Sequence, residues 1–174
     1  MNMSYRTKTY IAADWDSDED AVNKLYEWNN GKKWSLSFNN AHDLTQSRDS
    51  SLYCTIKSSL KKRMDVSKTF VLIVGSNTDT VTKGGCQYCR NYSESNSKCS
   101  TGHSVDYRSY IKFECDKAVE SKINIVVLYK SLNVNKSKCP SALKDVGTHV
   151  AMYRRGEDGK KYWNYDSVKK ALEV

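Results

Sequence analysis

The residue with the clearest chemical potential in this 174-residue chain is a glutamate, Glu114. It lies in the mostly apolar, helix-like run Ser109 to Ala118, and a strand-like run, Ile123 to Tyr129, follows. In parallel α/β sheets, ligands bind beyond the carboxyl ends of the strands. A carboxylate held there stabilises positive charge that develops in a transition state. The pattern therefore predicts an α/β domain with a single acidic catalytic residue.

The competing interpretation of Glu114 is structural. Lys117 follows three residues later, on the same face of the predicted helix, and the two side chains could form a surface ion pair. Exposed carboxylates are far commoner than catalytic ones. From the residues alone the structural interpretation is favoured, and the catalytic role depends on the resemblance described below.

A second group of residues has the types and spacing of a metal site. A C-x₂-C pair beside two glycines is followed by a third cysteine after nine intervening residues, and by a histidine after three more. Thiolates spaced in this way bind Zn²⁺ tetrahedrally, and an ion would order the polar segment from Thr78 to Val105. Reduced, unligated thiols and a redox C-x₂-C pair are the alternatives. The expected ligands are Cys86, Cys89, Cys99 and Cys115, with His103 as the alternative fourth ligand.

The composition indicates one globular domain. The apolar fraction is 39%, and no apolar run approaches the roughly 20 residues that a membrane span needs. We see no signal peptide, so we expect a cytoplasmic protein with thiols or metal ligands rather than disulfides. The net charge of +8 attracts phosphates, but the basic residues are scattered, which favours a solvated surface over a nucleic-acid groove.

Strand-like and helix-like segments alternate along the chain, which predicts a parallel sheet with helices on both faces. We expect a single domain over residues 1–174, with a core at about 8–130, an insertion at about 78–105 and a C-terminal extension at about 131–174. The predicted strands are Lys8–Ala13, Trp34–Phe38, Thr69–Gly75, Ile123–Tyr129 and Thr148–Tyr153. The predicted helices run from about Asp16 to Trp28, Leu52 to Met64, around Ile111 to Ala118, and from Asp166 to Leu172.

Two ordered sets of short motifs carry a family resemblance. The first set is Tyr10–Asp14, Trp28, Phe38 and His42-Asp43, and the second is Cys54–Lys57, Ser67–Gly75 and Glu114–Ala118. Together they resemble the bacterial TIR-like family typified by the TIR-like proteins of Thoeris anti-phage systems. The resemblance extends from about Thr9 to Tyr129, and the long cysteine-containing segment departs from simpler members.

The resemblance implies a flavodoxin-like three-layer sandwich and NAD⁺ as substrate. Active members of the family release nicotinamide and produce ADP-ribose or a cyclised derivative, which signals to an effector protein. The family's catalytic glutamate lies on the helix before the fourth strand, a position that Glu114 occupies here. Related enzymes often become active on oligomerisation, so we expect a homo-oligomer in the active state.

Nucleotide contacts are expected on the loops that follow the first three strands. Each candidate has an alternative role: a helix cap or packed indole for the first group, a solvated histidine for the second, and a turn for the third. The candidates are Ala13, Asp14 and Trp15 in the first group, His42 and Asp43 in the second, and Ser76 and Asn77 in the third.

One carboxylate is sufficient for the implied reaction. The nicotinamide–ribose bond breaks through an oxocarbenium-like sugar, as in glycoside hydrolysis, but the leaving group is already cationic and needs no general acid. A non-catalytic TIR-like interaction module is the competing function. A receiver domain is disfavoured because Val74–Asn77, where the phosphoacceptor would lie, contains no aspartate. The chain contains neither a G-x-G-x-x-G motif nor a P-loop.

Overall fold

A five-stranded parallel sheet with helices on both faces forms the centre of the protein. The computed structural model describes residues 5–41 and 52–173. The strands are β1 (Lys8–Ala12), β2 (Asn39–Asn40), β3 (Ser67–Val74), β4 (Tyr92–Ser93), β5 (Lys98–Cys99), β6 (Asn124–Tyr129), β7 (Thr148–Ala151), β8 (Tyr153–Arg155) and β9 (Lys161–Trp163). The helices are α1 (Trp15–Asn30), α2 (Tyr53–Asp65), α3 (Tyr110–Glu120) and α4 (Tyr165–Leu172).

The order of the central sheet is β2-β1-β3-β6-β7, and every neighbouring pair is parallel. Side chains alternate between the two faces of β3, so that Phe70 and Leu72 join one buried cluster and Val71 and Ile73 join the other. The first cluster includes residues of α2 and α3, and the second includes residues of α1 and α4. The predicted α/β, flavodoxin-like three-layer fold is therefore confirmed.

The prediction of a second strand at Trp34–Phe38 is wrong. Residues 34–38 are irregular, and β2 comprises only Asn39 and Asn40. Ser37 has a φ of 56°, a left-handed conformation that interrupts an extended chain. The Asn29 side chain bonds both the N–H and the carbonyl oxygen of Phe38, at 2.8 and 2.9 Å, and so replaces ladder partners. The alternating pattern thus reflects packing of the segment against helices rather than strand pairing.

The end of the chain completes the sheet. The single strand expected from Thr148 to Tyr153 is divided: β7 pairs with β6, whereas β8 forms an antiparallel hairpin with β9. Because β7 is the fifth strand and α4 covers one face, the segment expected as an extension contributes to the central layers. None of the helices within residues 5–41 and 52–173 combines the length and the apolar character that crossing a bilayer demands.

The polar segment between β3 and α3 folds against α2. It contains a 3₁₀ turn at Cys86–Tyr88 and the short antiparallel pair β4–β5. The buried Lys57 ammonium of α2 donates to the carbonyl oxygens of Asp106 and Arg108, at 3.1 and 2.7 Å. A single α2 side chain therefore fixes the end of the segment directly before α3 begins.

Two glycines with the same backbone conformation test how tightly β7 is held. Gly147 and Gly159 have φ values of 81° and 77°, but a Cβ on Gly147 would lie 2.3 Å from the carbonyl oxygen of Ile125, whereas a Cβ on Gly159 would meet nothing within 4 Å. We expect Gly159→Ala to lower the free energy of unfolding by about 1 kcal/mol through conformational strain alone. Gly147→Ala should cost more than about 2 kcal/mol, because backbone displacement is added to the strain. Chemical denaturation measures both values, and equal losses would contradict the packing described.

Candidate active site

A cavity of about 490 Å³ opens at the carboxyl end of β1, between α2 and α3. Its volume is within the usual range of small-molecule sites, roughly 300–1,000 Å³. Residues 13–16, which follow β1, form one side, and α2 and α3 form the others. Val81 and Lys83 of the polar segment complete the lining. The cavity therefore lies at the sheet edge where parallel α/β proteins bind ligands.

Glu114 lines this cavity and is only 6% exposed. The Ser109 side chain caps α3 by accepting a hydrogen bond from the Lys112 N–H, and the helical repeat then directs Tyr110, Ile111 and Glu114 to one face. The hydroxyl of Tyr10, which is fully buried on β1, donates to Glu114 Oε1. The carboxylate is therefore held between a strand and a helix.

The surface-pair interpretation of Glu114 does not hold. Lys117 pairs with Glu120 instead, with 2.6 Å between Nζ and Oε2.

Burial raises the pKa of Glu114 to about 7, from an ordinary value of 4.5. The Tyr10 hydrogen bond and the positive charge of Arg63 act in the opposite direction and hold the pKa below the level that burial alone would set. Burial and the nearby Glu114 charge in turn raise the pKa of Tyr10, which keeps that hydroxyl protonated as a donor. The Glu114 carboxyl group is consequently partly ionised at neutral pH, and its pKa is sensitive to any cation that enters the cavity.

Cationic and aromatic side chains surround the carboxylate. Arg63 of α2, buried to 7% exposure, and Lys83 both line the cavity. The rings of Tyr53 and Tyr110 meet edge to face, with their centroids 5.6 Å apart, and form an aromatic wall. Trp15, which is 44% exposed, stands at the rim. The site therefore offers positive charge for phosphates and aromatic faces for planar rings.

A comparison with known families finds a match in the first half of the chain. Residues 3–83 match the family model for the Thoeris protein ThsB, TIR-like domain. Over these residues the chain is similar to the Thoeris TIR-like proteins. The match covers β1 to β3 and the start of the polar segment, so Glu114 and α3 lie beyond it. No curated protein matches the chain.

The structure brings together only some of the residues expected at the site. Ala13, Asp14 and Trp15 line the cavity with Glu114, and Asp14 also precedes α1 as its N-cap residue and accepts a hydrogen bond from the Ser17 hydroxyl. His42 and Asp43 lie outside the described residues.

The loop after β3 faces elsewhere. Ser76 lines a second cavity, of about 370 Å³, with Asp18 and Lys130. The Asn77 carbonyl accepts hydrogen bonds from the N–H groups of Thr80 and Val81, as in a turn.

The sequence pattern missed several residues of the cavity. Arg63 lies in the basic last turn of α2, but it follows Leu60 by three residues and so shares the buried stripe of the helix. That spacing was an available signal. Tyr10 carried no comparable signal, because any strand residue could point to either face. Tyr53, Lys83 and Tyr110 are brought to the cavity by packing between segments.

The cysteines divide into two groups. Cys86, Cys89, Cys99 and His103 line a small cavity together with Cys54 of α2. Cys115, expected as the fourth ligand, lies on α3 and is fully buried in the apolar core. Cys139 is fully buried in the same apolar cluster. The structure therefore does not bring Cys115 to the other expected ligands. Within residues 5–41 and 52–173, no three His, Cys, Asp or Glu side chains already stand in a geometry that would hold a metal ion.

The raised pKa of Glu114 makes stability depend on pH. Between pH 4.5 and about 7 the unfolded chain ionises at this position while the folded protein stays protonated, so the wild type loses stability as pH rises through this window. The shift corresponds to about 3 kcal/mol. We expect Glu114→Gln, which cannot ionise, to gain that amount relative to the wild type between pH 4.5 and pH 8, as measured by denaturation. Glu120→Gln, at an exposed glutamate of the same helix, should show no such gain. Parallel curves for wild type and Glu114→Gln would refute the burial of an ionisable group.

Proposed function

We propose that this TIR-like defence protein is an NAD⁺-consuming enzyme that breaks the nicotinamide–ribose bond and produces a nucleotide second messenger. The observation that supports the proposal is the buried Glu114 carboxyl group in a cavity of about 490 Å³ at the edge of a parallel sheet. A carboxylate in such surroundings is a recognised sign of a functional site, because desolvation costs free energy that a structural role does not require.

The chemistry needs charge stabilisation rather than proton donation. When the bond between ribose C1′ and the pyridinium nitrogen breaks, its electron pair returns to the nitrogen and nicotinamide leaves as a neutral molecule. The remaining ribosyl cation resembles the transition state of glycoside hydrolysis. Glu114 in its ionised form stabilises this cation. Water then attacks C1′ and loses a proton to give ADP-ribose, or a ring nitrogen of the same substrate attacks C1′ and closes a cyclic product.

The substrate itself favours the active form of the carboxylate. Burial raises the pKa of Glu114 to about 7. The positive charge of the nicotinamide ring, once bound within a few ångströms, lowers that pKa and completes the ionisation. The resulting ion pair lies in a water-poor site, where the interaction is stronger than in bulk solvent. Preorganised charge of this kind is typically worth a few kcal/mol of barrier.

The other groups of the cavity match the remaining parts of NAD⁺. Arg63 and Lys83 supply positive charge for the diphosphate. The ring faces of Tyr53, Tyr110 and Trp15 are suited to the adenine and nicotinamide rings. In this proposal a separate effector protein senses the product, and the active form is a homo-oligomer.

Replacement of the proposed catalytic carboxylate tests the function directly. Glu114→Gln preserves the shape of the side chain and removes its charge, so we expect nicotinamide release to fall by at least 100-fold, equivalent to about 3 kcal/mol. Purified protein is incubated with NAD⁺ at high protein concentration, with and without lysate of infected cells, and the products are identified by mass spectrometry. Glu120→Gln is the matched control and should retain the wild-type rate. A wild type that is inactive under every condition would favour the non-catalytic interaction module.

Tyr10 provides a second test through the pH profile. Because its hydrogen bond lowers the pKa of Glu114, Tyr10→Phe should raise that pKa and move the acid limb of kcat/KM for NAD⁺ to higher pH. We expect several-fold lower kcat/KM at pH 7 and recovery towards the wild-type value at pH 9. Tyr129→Phe removes a hydroxyl that bonds His149 and should leave the profile unchanged. A uniform loss at all pH values would show that Tyr10 does not act through Glu114 ionisation.

A further inference from the structure

Five side chains that commonly bind metals line one small cavity beside α2. The cavity has a volume of about 10 Å³, which is close to that of a single ion or water molecule. The five side chains come from three separate segments of the chain: α2, the 3₁₀ turn before β4 with the residue that follows it, and β5 with the turn that follows it. They are Cys54, Cys86, Cys89, Cys99 and His103.

Polar groups contact the sulfur atoms of two of these cysteines. The Asp106 N–H donates to Cys86 Sγ at 3.2 Å, and Cys99 Sγ lies 3.1 Å from the Thr101 hydroxyl. Backbone N–H groups of Thr101 and His103 also interact with Cys99 Sγ.

We propose that Cys54, Cys86, Cys89 and Cys99 bind one structural Zn²⁺ ion. Cys54 takes the place expected for Cys115, which lies in the apolar core. His103 is the most exposed of the five side chains, so it remains in solvent while its backbone N–H supports Cys99. Tetrahedral coordination by four thiolates is a standard arrangement of structural zinc.

Binding requires a local adjustment, because no three such side chains in the described ranges 5–41 and 52–173 already have ligating geometry. The four thiols turn towards the cavity, each gives its proton to solvent, and each sulfur donates an electron pair to the ion. The ion changes neither its charge nor its oxidation state. Metal binding is therefore expected to weaken as pH falls.

The ion would join the polar segment to the wall of the active site. Cys54 is adjacent in α2 to Tyr53, which lines the larger cavity, and the same polar segment supplies Lys83 to that cavity. The segment has almost no aliphatic residues and contributes little to the apolar core, so a metal would provide the order that packing does not. This inference does not depend on NAD⁺ turnover, and its tests use none.

Metal content and thiol protection of the wild-type protein are the first measurements. Protein purified without chelators should contain one zinc per chain by elemental analysis, and Co²⁺ in its place should give an intense thiolate-to-metal charge-transfer band. Zinc should protect Cys54, Cys86, Cys89 and Cys99 from alkylation, as read peptide by peptide by mass spectrometry. These measurements need no variant. Wild type that binds no zinc in excess metal, or that contains a disulfide between two of these cysteines when purified under reducing conditions, would overturn the proposal.

Three variants identify the fourth ligand. Cys54→Ser should reduce zinc affinity at least tenfold, whereas Cys115→Ala and His103→Ala should keep one zinc per chain at wild-type affinity. Retention of metal by Cys54→Ser together with loss by Cys115→Ala or His103→Ala would overturn the assignment of Cys54. If Cys54→Ser does not fold, as judged by circular dichroism, the alkylation pattern of Cys54 in the wild type decides the same question.

Discussion

The burial of one carboxyl group at the junction of β1, α2 and α3 is the constraint on which the site depends. Removal of Glu114 from water is unfavourable for its ionised form, and Tyr10 and the charge of Arg63 offset part of that cost. Tyr10 belongs to β1 and Arg63 to α2, so both elements must be placed correctly relative to α3. A small displacement of any one of them would leave the carboxyl group without its compensation. The same balance keeps its pKa near neutrality, where an incoming cation decides the charge state.

Helix α2 links the three functional features of the molecule. One face carries Tyr53 and Arg63 to the cavity that contains Glu114, and Lys57 holds the end of the polar segment through two carbonyl oxygens. Near the start of α2, Cys54 lines the small cavity that it shares with Cys86, Cys89 and Cys99. Because successive residues of a helix point in different directions, one helix lines two cavities and also anchors the polar segment. The long polar segment thus depends on α2 rather than on a core of its own.

Two loops that look equivalent in the sequence line different cavities at the carboxyl edge of the sheet. The loop after β1 contributes to the cavity of Glu114, whereas Ser76, after β3, contributes to the cavity that contains Asp18 and Lys130. The ammonium of Lys130 lies 2.6 Å from Asp20 and 3.4 Å from Asp18, so this region is held by ion pairs around the start of α1. Proximity to a strand end therefore selects the sheet edge but not the side of the strand on which a loop opens.

The alternation of apolar runs and amphipathic segments by itself determined the layered α/β fold, since β1, β3, β6 and the four helices follow directly from hydrophobic periodicity. It did not by itself assign a function to Glu114, because the residues alone favoured a surface ion pair with Lys117. It failed for Trp34–Phe38, where the Asn29 side chain replaces strand partners, and for Cys115, whose neighbours in sequence do not reveal which way it faces. Only the tertiary structure decided that Tyr10 supports Glu114 and that Cys54 joins the distant cysteines. These contacts join residues 104 positions apart in the first case and separate segments in the second. Local patterns carry no information about such distances, because long-range packing alone brings the segments together.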